Sequence, residues 1–478
     1  MRNSLRRDDG DRRNGMRVGR MAALLTMSAA LFALGVSSRS VDAQQPSTRP
    51  TAERLATTAS ARVGGLSSKE GAYLGVATCA GSGCHGSTLP LRASRVLQNE
   101  YFTWLNYDKH ARAYNVLFNE RSARIVKNMK LRGRAYEERV CLDCHATNVP
   151  SGEGAGIDRE DGIQCETCHG PAGGWRSQHT DSGWTHADSV KAGMTDLRSV
   201  PVRARTCLTC HQGRGARTVD HELIASGHPV LTFELDNYSE SMPPHWAKFS
   251  QRSDGQLRDT HGVRAWAVGQ VIAFKESLDA LALHARGDKW PEFSDMSCYD
   301  CHHDLGKSRW RQERGYNLRA GLPGFNLQRY AVLRHLIGQV SPSDRTLLDR
   351  NVATLGAHVS RMNNPTAVAT LASSTSTMVE RSISAIDATR WDESSVRALI
   401  SRIASDGPYL MNSDVHSAEQ TALALQSLTA YLARLNGGAA RGDMLKTVDR
   451  LFALLEDRSD YNPAKFVQTL RQLQSQAR

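Results

Sequence analysis

The chain has 478 residues, 40% of them hydrophobic and 23% charged, the balance of an ordinary soluble protein rather than a disordered one. It has no apolar run of about 18 residues, which excludes a polytopic membrane protein, and its length suggests about two to three domains. The net charge is +11, yet Lys and Arg are dispersed rather than in blocks, so no nucleic-acid partner is expected.

In chain order, the first expected element is an export signal over residues 1–43. Residues 1–20 hold seven arginines and no lysine, Met21 to Val36 is apolar, and Val41-Asp42-Ala43 offers small residues for cleavage near Ala43. Met16 is an alternative start, and an uncleaved anchor is the alternative reading of the apolar run. Residues 44–70 are rich in Ser, Thr, Ala and Arg without apolar periodicity and read as a flexible linker. Without residues 1–43, which carry eight Arg and four Asp, the net charge is near +7.

Residues 71–310 hold all ten cysteines. Four segments read Cys-x-x-Cys-His: Cys141 to His145, Cys165 to His169, Cys207 to His211 and Cys298 to His302. A fifth, Cys79-Ala-Gly-Ser-Gly-Cys84-His85, has four residues between its cysteines. Disulfides are the default for an exported chain, but this spacing points elsewhere. Two thiols add to the vinyl groups of one haem, and the next histidine becomes the iron's proximal ligand. The cysteines Cys79, Cys84, Cys141, Cys144, Cys165, Cys168, Cys207, Cys210, Cys298 and Cys301 then attach five haems c. The proximal ligands are His85, His145, His169, His211 and His302.

Zinc sites, iron–sulfur sites and redox-active Cys pairs are the alternatives. Five chance histidines at these positions have a probability on the order of 10⁻⁷, and zinc ribbons need no histidine after each pair. For the Cys79/Cys84 motif the alternative is a disulfide beside a chance histidine. Each haem also brings two propionates, so five of them take the +7 chain to roughly +2 oxidised and −3 reduced. The basic residues are thus read as compensation for propionates, with Arg forks as their partners.

An iron that exchanges electrons quickly takes a sixth ligand, whereas an empty position admits substrate. Twelve histidines remain after the proximal five, and nine of them lie between residues 110 and 303. The distal candidates are His110 on a helix between the first two motifs, His179 after the Gly-rich loop that follows the third, and His221 and His228. These last two, at i and i+7, suit different haems. His303 follows a proximal histidine and can only serve a neighbouring haem. His186 competes with His179; His245, His261 and His284 are reserves, and Met129, Met194, Met242 and Met296 read as packing. The short link from His145 to Cys165 makes those two haems neighbours.

From about residue 325 cysteine disappears and helical periodicity takes over. Apolar stripes run through Leu333/Leu336/Ile337/Val340, Val396/Leu399/Ile400/Ile403, Leu428/Tyr431/Leu432/Leu435, Met444/Val448/Leu451/Phe452/Leu455 and Phe466/Leu470/Leu473. Ser341-Pro342, Ser417 and Asn462-Pro463 read as starts, and Asn436-Gly437-Gly438 as a stop. The expected fold is mainly α: a haem-packed domain with few strands over 71–310, its core haem and aromatic rather than aliphatic, followed by a bundle of about five or six helices over 311–478.

Over roughly residues 70–310 the chain resembles the cytochrome c-554 group of multihaem cytochromes. The resemblance rests on Tyr73-Leu74-Gly75, Lys109 to Tyr114, Cys141 to Thr147, Asp161 to Pro171, and Gly227-His228-Pro229 with Phe233-Glu234-Leu235. It implies a helical domain with parallel and perpendicular haem pairs and periplasmic electron transfer, within nitrogen or sulfur redox chains. The fifth motif, the widened first motif and the long tail depart from the four-haem pattern.

The leading expectation is an electron carrier between redox protein partners, donor and acceptor unspecified, loaded by the cytochrome c maturation machinery. A membrane-associated redox complex is one setting for it. The alternatives are an oxidoreductase with one five-coordinate haem acting on a small nitrogen or sulfur species, with Tyr238, His245 and Lys248 as proton donors, and a structural haem subunit of a larger redox complex.

Overall fold

The structure is a computed structural model and describes residues 71–91, 96–149, 154, 156–215, 217–246, 250–251, 257–258, 262–302, 321–411, 413–435 and 442–478. The signal and linker readings lie outside these residues, as do Lys248, His261 and His303. Residues Arg62–Arg478 form one compact unit, and every described residue belongs to it.

The described chain is mainly helical. Short helices come first: α1 (Glu100–Tyr107), α2 (Glu120–Asn128), α3 (Arg139–His145), α4 (Cys165–His169), α5 (His186–Lys191), α6 (Val200–Leu208), α7 (His221–Ala225) and α8 (Leu235–Ser241). A two-residue antiparallel ladder, Ser250–Gln251 with Leu257–Arg258, is the only named sheet among the described residues. Longer helices follow: α9 (Val263–Arg286), α10 (Tyr330–Val340), α11 (Pro342–Arg361), α12 (Pro365–Ala388), α13 (Glu393–Ala404), α14 (Gly407–Met411), α15 (Val415–Leu435), α16 (Gly442–Ala453) and α17 (Pro463–Ala477).

Local chemistry explains the boundaries. Side-chain oxygens of Asn119, Asp220, Ser341, Asn364 and Asn462 accept from backbone N–H groups in the first turns of α2, α7, α11, α12 and α17. Thr185 and Asp392 form reciprocal capping boxes with Asp188 and Ser395. Pro342 and Pro463 open their helices as expected. The expected start at Ser417 is corrected: α15 begins at Val415, and Asp414 accepts from the Ser417 N–H at 3.0 Å.

The main hydrophobic cluster joins α6, α8 and α9 to the helices beyond residue 330. The aliphatic character of α9 differs from the haem-and-aromatic core expected of residues 71–310: Trp266, Val268, Val271, Ile272, Leu278 and Leu281 are all buried. Helix α9 lies antiparallel along α12. Arg264 at its start meets Asp387 at 2.9 Å, and Arg286 at its end meets Ser373 at 2.6 Å. The tail stripes are buried as expected except that Val340, Tyr431 and Phe452 are half-buried and Leu435 is exposed. Eight helices follow residue 325 among the described residues, against five or six expected. One, α14, is a single turn, and only Ser341 separates α10 from α11.

The segment bearing the first three motifs has only two small clusters, one around Leu117, Val126 and Leu142 and one around Val76, Trp104 and Ala111. Such patches bury little apolar surface, so this segment needs another source of cohesion.

Candidate haem-attachment sites

Each motif folds so that both cysteines and the histidine share one turn. Helix α3 carries Cys141, Cys144 and His145, and α4 carries Cys165, Cys168 and His169. Cys207 lies in the last turn of α6, and Cys210 and His211 follow in a π-turn over Thr209–Gly213. Such wide turns are frequent at functional sites. In the last motif the His302 N–H donates to the Cys298 carbonyl at 2.8 Å. The widened first motif closes with the same bond, His85 N–H to Cys79 carbonyl at 3.2 Å, while the Cys84 and Gly86 N–H groups both bond to the Gly81 carbonyl. The two extra residues are bulged out as a turn, and the end of the motif is unchanged. A carboxylate ties the first motif to the third: Glu166 accepts from the N–H groups of Gly75 and Ala172, each at 2.7 Å.

The ten cysteines are all unpaired thiols. Among the described residues no three His, Cys, Asp or Glu side chains converge as a bare-metal site would require. Burial pushes the Cys165 thiol up to about 12 and Cys207 up to about 11. Cys144 and Cys210, from different motifs, hydrogen-bond each other, which raises the first and lowers the second. After burial, the strongest influence on Cys165 is Cys79, and on Cys168 it is Cys207. The second and fourth attachment points thus meet, and the first and fourth lie within electrostatic reach of the third. The second and third are also pinned, through a 2.7 Å bond between Thr147 and Thr167.

The structure brings four of the expected distal histidines to motif histidines. Ring centroids are 6.3 Å apart for His85 and His179, 5.9 Å for His211 and His110, and 6.3 Å for His302 and His221. One metal between two imidazole nitrogens, with bonds of about 2 Å, separates ring centroids by roughly 6 Å. His228 lies near His145, whose charge adds to burial in lowering the His228 pKa. Around His169 the nearest imidazole influence is His245, then His85 and His186, and burial with these neighbours pushes His169 down to about 4. His211 is likewise pushed down to about 4, by burial and then by His110. Neutral imidazole is the metal-binding form.

The other ring nitrogen supports the fit. A metal-bound histidine usually donates its second N–H to a carboxylate or carbonyl. Here Nδ1 meets Glu100 for His85 at 3.0 Å, Asp108 for His110 at 2.9 Å and the Ala113 carbonyl for His145 at 3.1 Å. It meets the Arg176 carbonyl for His179 at 2.5 Å, Pro229 for His228 at 2.9 Å and Pro243 for His245 at 3.4 Å. Nε2 is left for the metal in each case. His186, the local rival of His179, instead commits Nε2 to Asp196 at 2.9 Å. Burial lowers the His110 pKa, but the Asp108 carboxylate outweighs it and the value ends raised. Sequence reasoning held His245 only in reserve and missed Glu100, Asp108 and Glu166, which have no motif of their own.

These residues fit covalently held haem, and the chain that carries them is mainly helical. Residues 78–170, from the first motif through the third, match the family described as cytochrome c554 and c-prime. The chain is thus similar to haem c proteins of electron transfer, which work with redox protein partners. No curated protein and no solved structure matches. No helix among the described residues is long and apolar enough to cross a membrane.

Proposed function

We propose that this chain is an exported electron carrier with five covalently attached haems c, each iron held between two histidines. The pairs are His85 with His179, His145 with His228, His169 with His245, His211 with His110, and His302 with His221. Residues 1–43 serve as the export signal, 71–310 carry the haems and 311–478 form the helical module. The carrying observation is that His85, His211 and His302 each stand 5.9 to 6.3 Å, ring to ring, from a second histidine, while His145 and His169 lie within electrostatic reach of His228 and His245.

When bound, the haems supply one-electron chemistry at potentials set by their ligands and surroundings. The chain's own part is to favour neutral imidazole at His145, His169, His211, His228 and His245 by burial, and to orient six of the ten rings through their Nδ1 acceptors. It also keeps the attachment points adjacent, so that electrons pass over short distances.

One observation favours a second reading, an oxidoreductase with an open haem. His245 has the longest of the six Nδ1 bonds, and it lies in the irregular stretch after α8. The test is made on purified, oxidised holoprotein. A mass equal to chain plus five haems, with only low-spin ferric signals in electron paramagnetic resonance and no cyanide or nitric oxide binding, is expected. A high-spin ferric signal that disappears on cyanide binding supports the enzyme reading, and a mass one haem short overturns the count.

A further inference from the structure

The fifth motif is gripped by the C-terminal helices in a way the other four are not. His416, in the first turn of α15, is buried beside Cys298, an attachment cysteine of that motif. Its Nδ1 meets Glu419 Oε2 at 2.9 Å, and Arg458 Nε donates to Glu419 Oε1 at 2.7 Å. The Arg458 backbone carbonyl in turn accepts from the hydroxyl of Tyr299, which stands between the two cysteines. Tyr299 also packs against the main hydrophobic cluster. From the other side, the Ser297 N–H donates to the Gly324 carbonyl at 2.8 Å and the Gly324 N–H to Asp300 at 2.5 Å. The 298–302 turn is therefore held by a ring of bonds whose ionisable members are Asp300, His416, Glu419 and Arg458.

Fixed buried charge beside a haem biases its oxidation state, because reduction adds one electron in a region of low dielectric. We propose that His416, Glu419 and Arg458 are positioning residues that seat the Cys298–His302 turn on the C-terminal helices and set the reduction potential of the haem attached there. This rests on the five-haem reading, and the two can fail separately.

The experiment uses the full-length holoprotein, with haem count by mass and an optical redox titration. The double variant Cys298→Ser/Cys301→Ser identifies the wave of the fifth haem by its loss; a variant that keeps the wild-type haem count overturns the five-haem reading itself. Glu419→Gln removes a negative charge and leaves Arg458, so the fifth wave moves to higher potential. Arg458→Gln removes the positive charge and moves the same wave lower, whereas Arg458→Lys keeps the charge and moves it less. Opposite shifts confined to one wave support the proposal, because a purely structural role does not reverse sign with charge. Five retained haems with no shift, or with all waves moving together, overturn it. Arg458 is half-exposed, so its variants carry the test should Glu419→Gln fail to fold.

Discussion

An imidazole bound to a metal through Nε2 feels whatever accepts its Nδ1–H, and the acceptors here are of two kinds. His85 and His110 face carboxylates, Glu100 and Asp108, whereas His145, His179 and His228 face backbone carbonyls. A carboxylate makes the ring a stronger donor, which favours the ferric state. Asp108 is buried and accepts both the backbone N–H and the ring N–H of His110. Asp108→Asn is therefore expected to raise the potential of the haem on His211 and to leave the haem on His145 unmoved, as read in the same redox titration. An equal shift at both shows that the acceptor does not matter. At this scale the proposed ligands were legible and their supports were not. His110, His179, His221 and His228 stand out because histidine is scarce and clusters near the motifs. Asp108 and Glu100 sit only two and fifteen residues from their histidines, yet nothing in the letters separates them from the chain's other carboxylates. His245 was undervalued because no motif surrounds it, and its neighbour His169 is found only through the tertiary fold.

Helices over the last 150 or so residues were readable wherever apolar residues repeat at helical spacing, and less so where the buried face is small or polar. Helix α12 is the clear case: Thr375 and Ser376 lie fully inside it beside Val368, Ala372 and Val379. The Thr375 hydroxyl donates to the Leu371 carbonyl in the preceding turn at 2.7 Å, and the Ser376 hydroxyl to the Asp279 carboxylate of α9 at 2.6 Å. The periodicity is diluted, although the helix is sound. Helix α9 fails to declare itself for the opposite reason. It is apolar nearly all round, so no amphipathic stripe marks it. The stripe of α17 begins with Phe466, the most completely buried phenylalanine among the described residues. Truncating it to alanine leaves a cavity among the tail helices and costs about 3–5 kcal/mol. Thermal unfolding followed by far-ultraviolet circular dichroism should show the loss as a lower midpoint for Phe466→Ala. A midpoint unchanged from wild type argues that these helices contribute little to global stability.

Across the whole molecule the attachment points form a central trio with one further point on each side. Cys79 lies within electrostatic reach of Cys165 and Cys207 of Cys168, Cys210 hydrogen-bonds Cys144, and Thr147 beside the second motif bonds Thr167 of the third at 2.7 Å. His228, within electrostatic reach of His145, and His221, beside His302, are joined by one short segment containing α7. Read as haems, the second, third and fourth adjoin one another, with the first next to the third and the fifth next to the second, so the two motifs that depart from the resembled four-haem pattern stand on the outside. Neighbours in such an array repel each other's electrons by roughly 1–2 kcal/mol, for one unit charge at 10–15 Å and an effective dielectric near 20. Removing the fourth haem with Cys207→Ser/Cys210→Ser takes away a neighbour of the second and the third, but of neither the first nor the fifth. In the variant's redox titration the second and third waves should therefore move to higher potential, by more than the other two. Equal movement of all four waves contradicts that arrangement, and so does movement of the first and fifth alone, since neither of them adjoins the fourth.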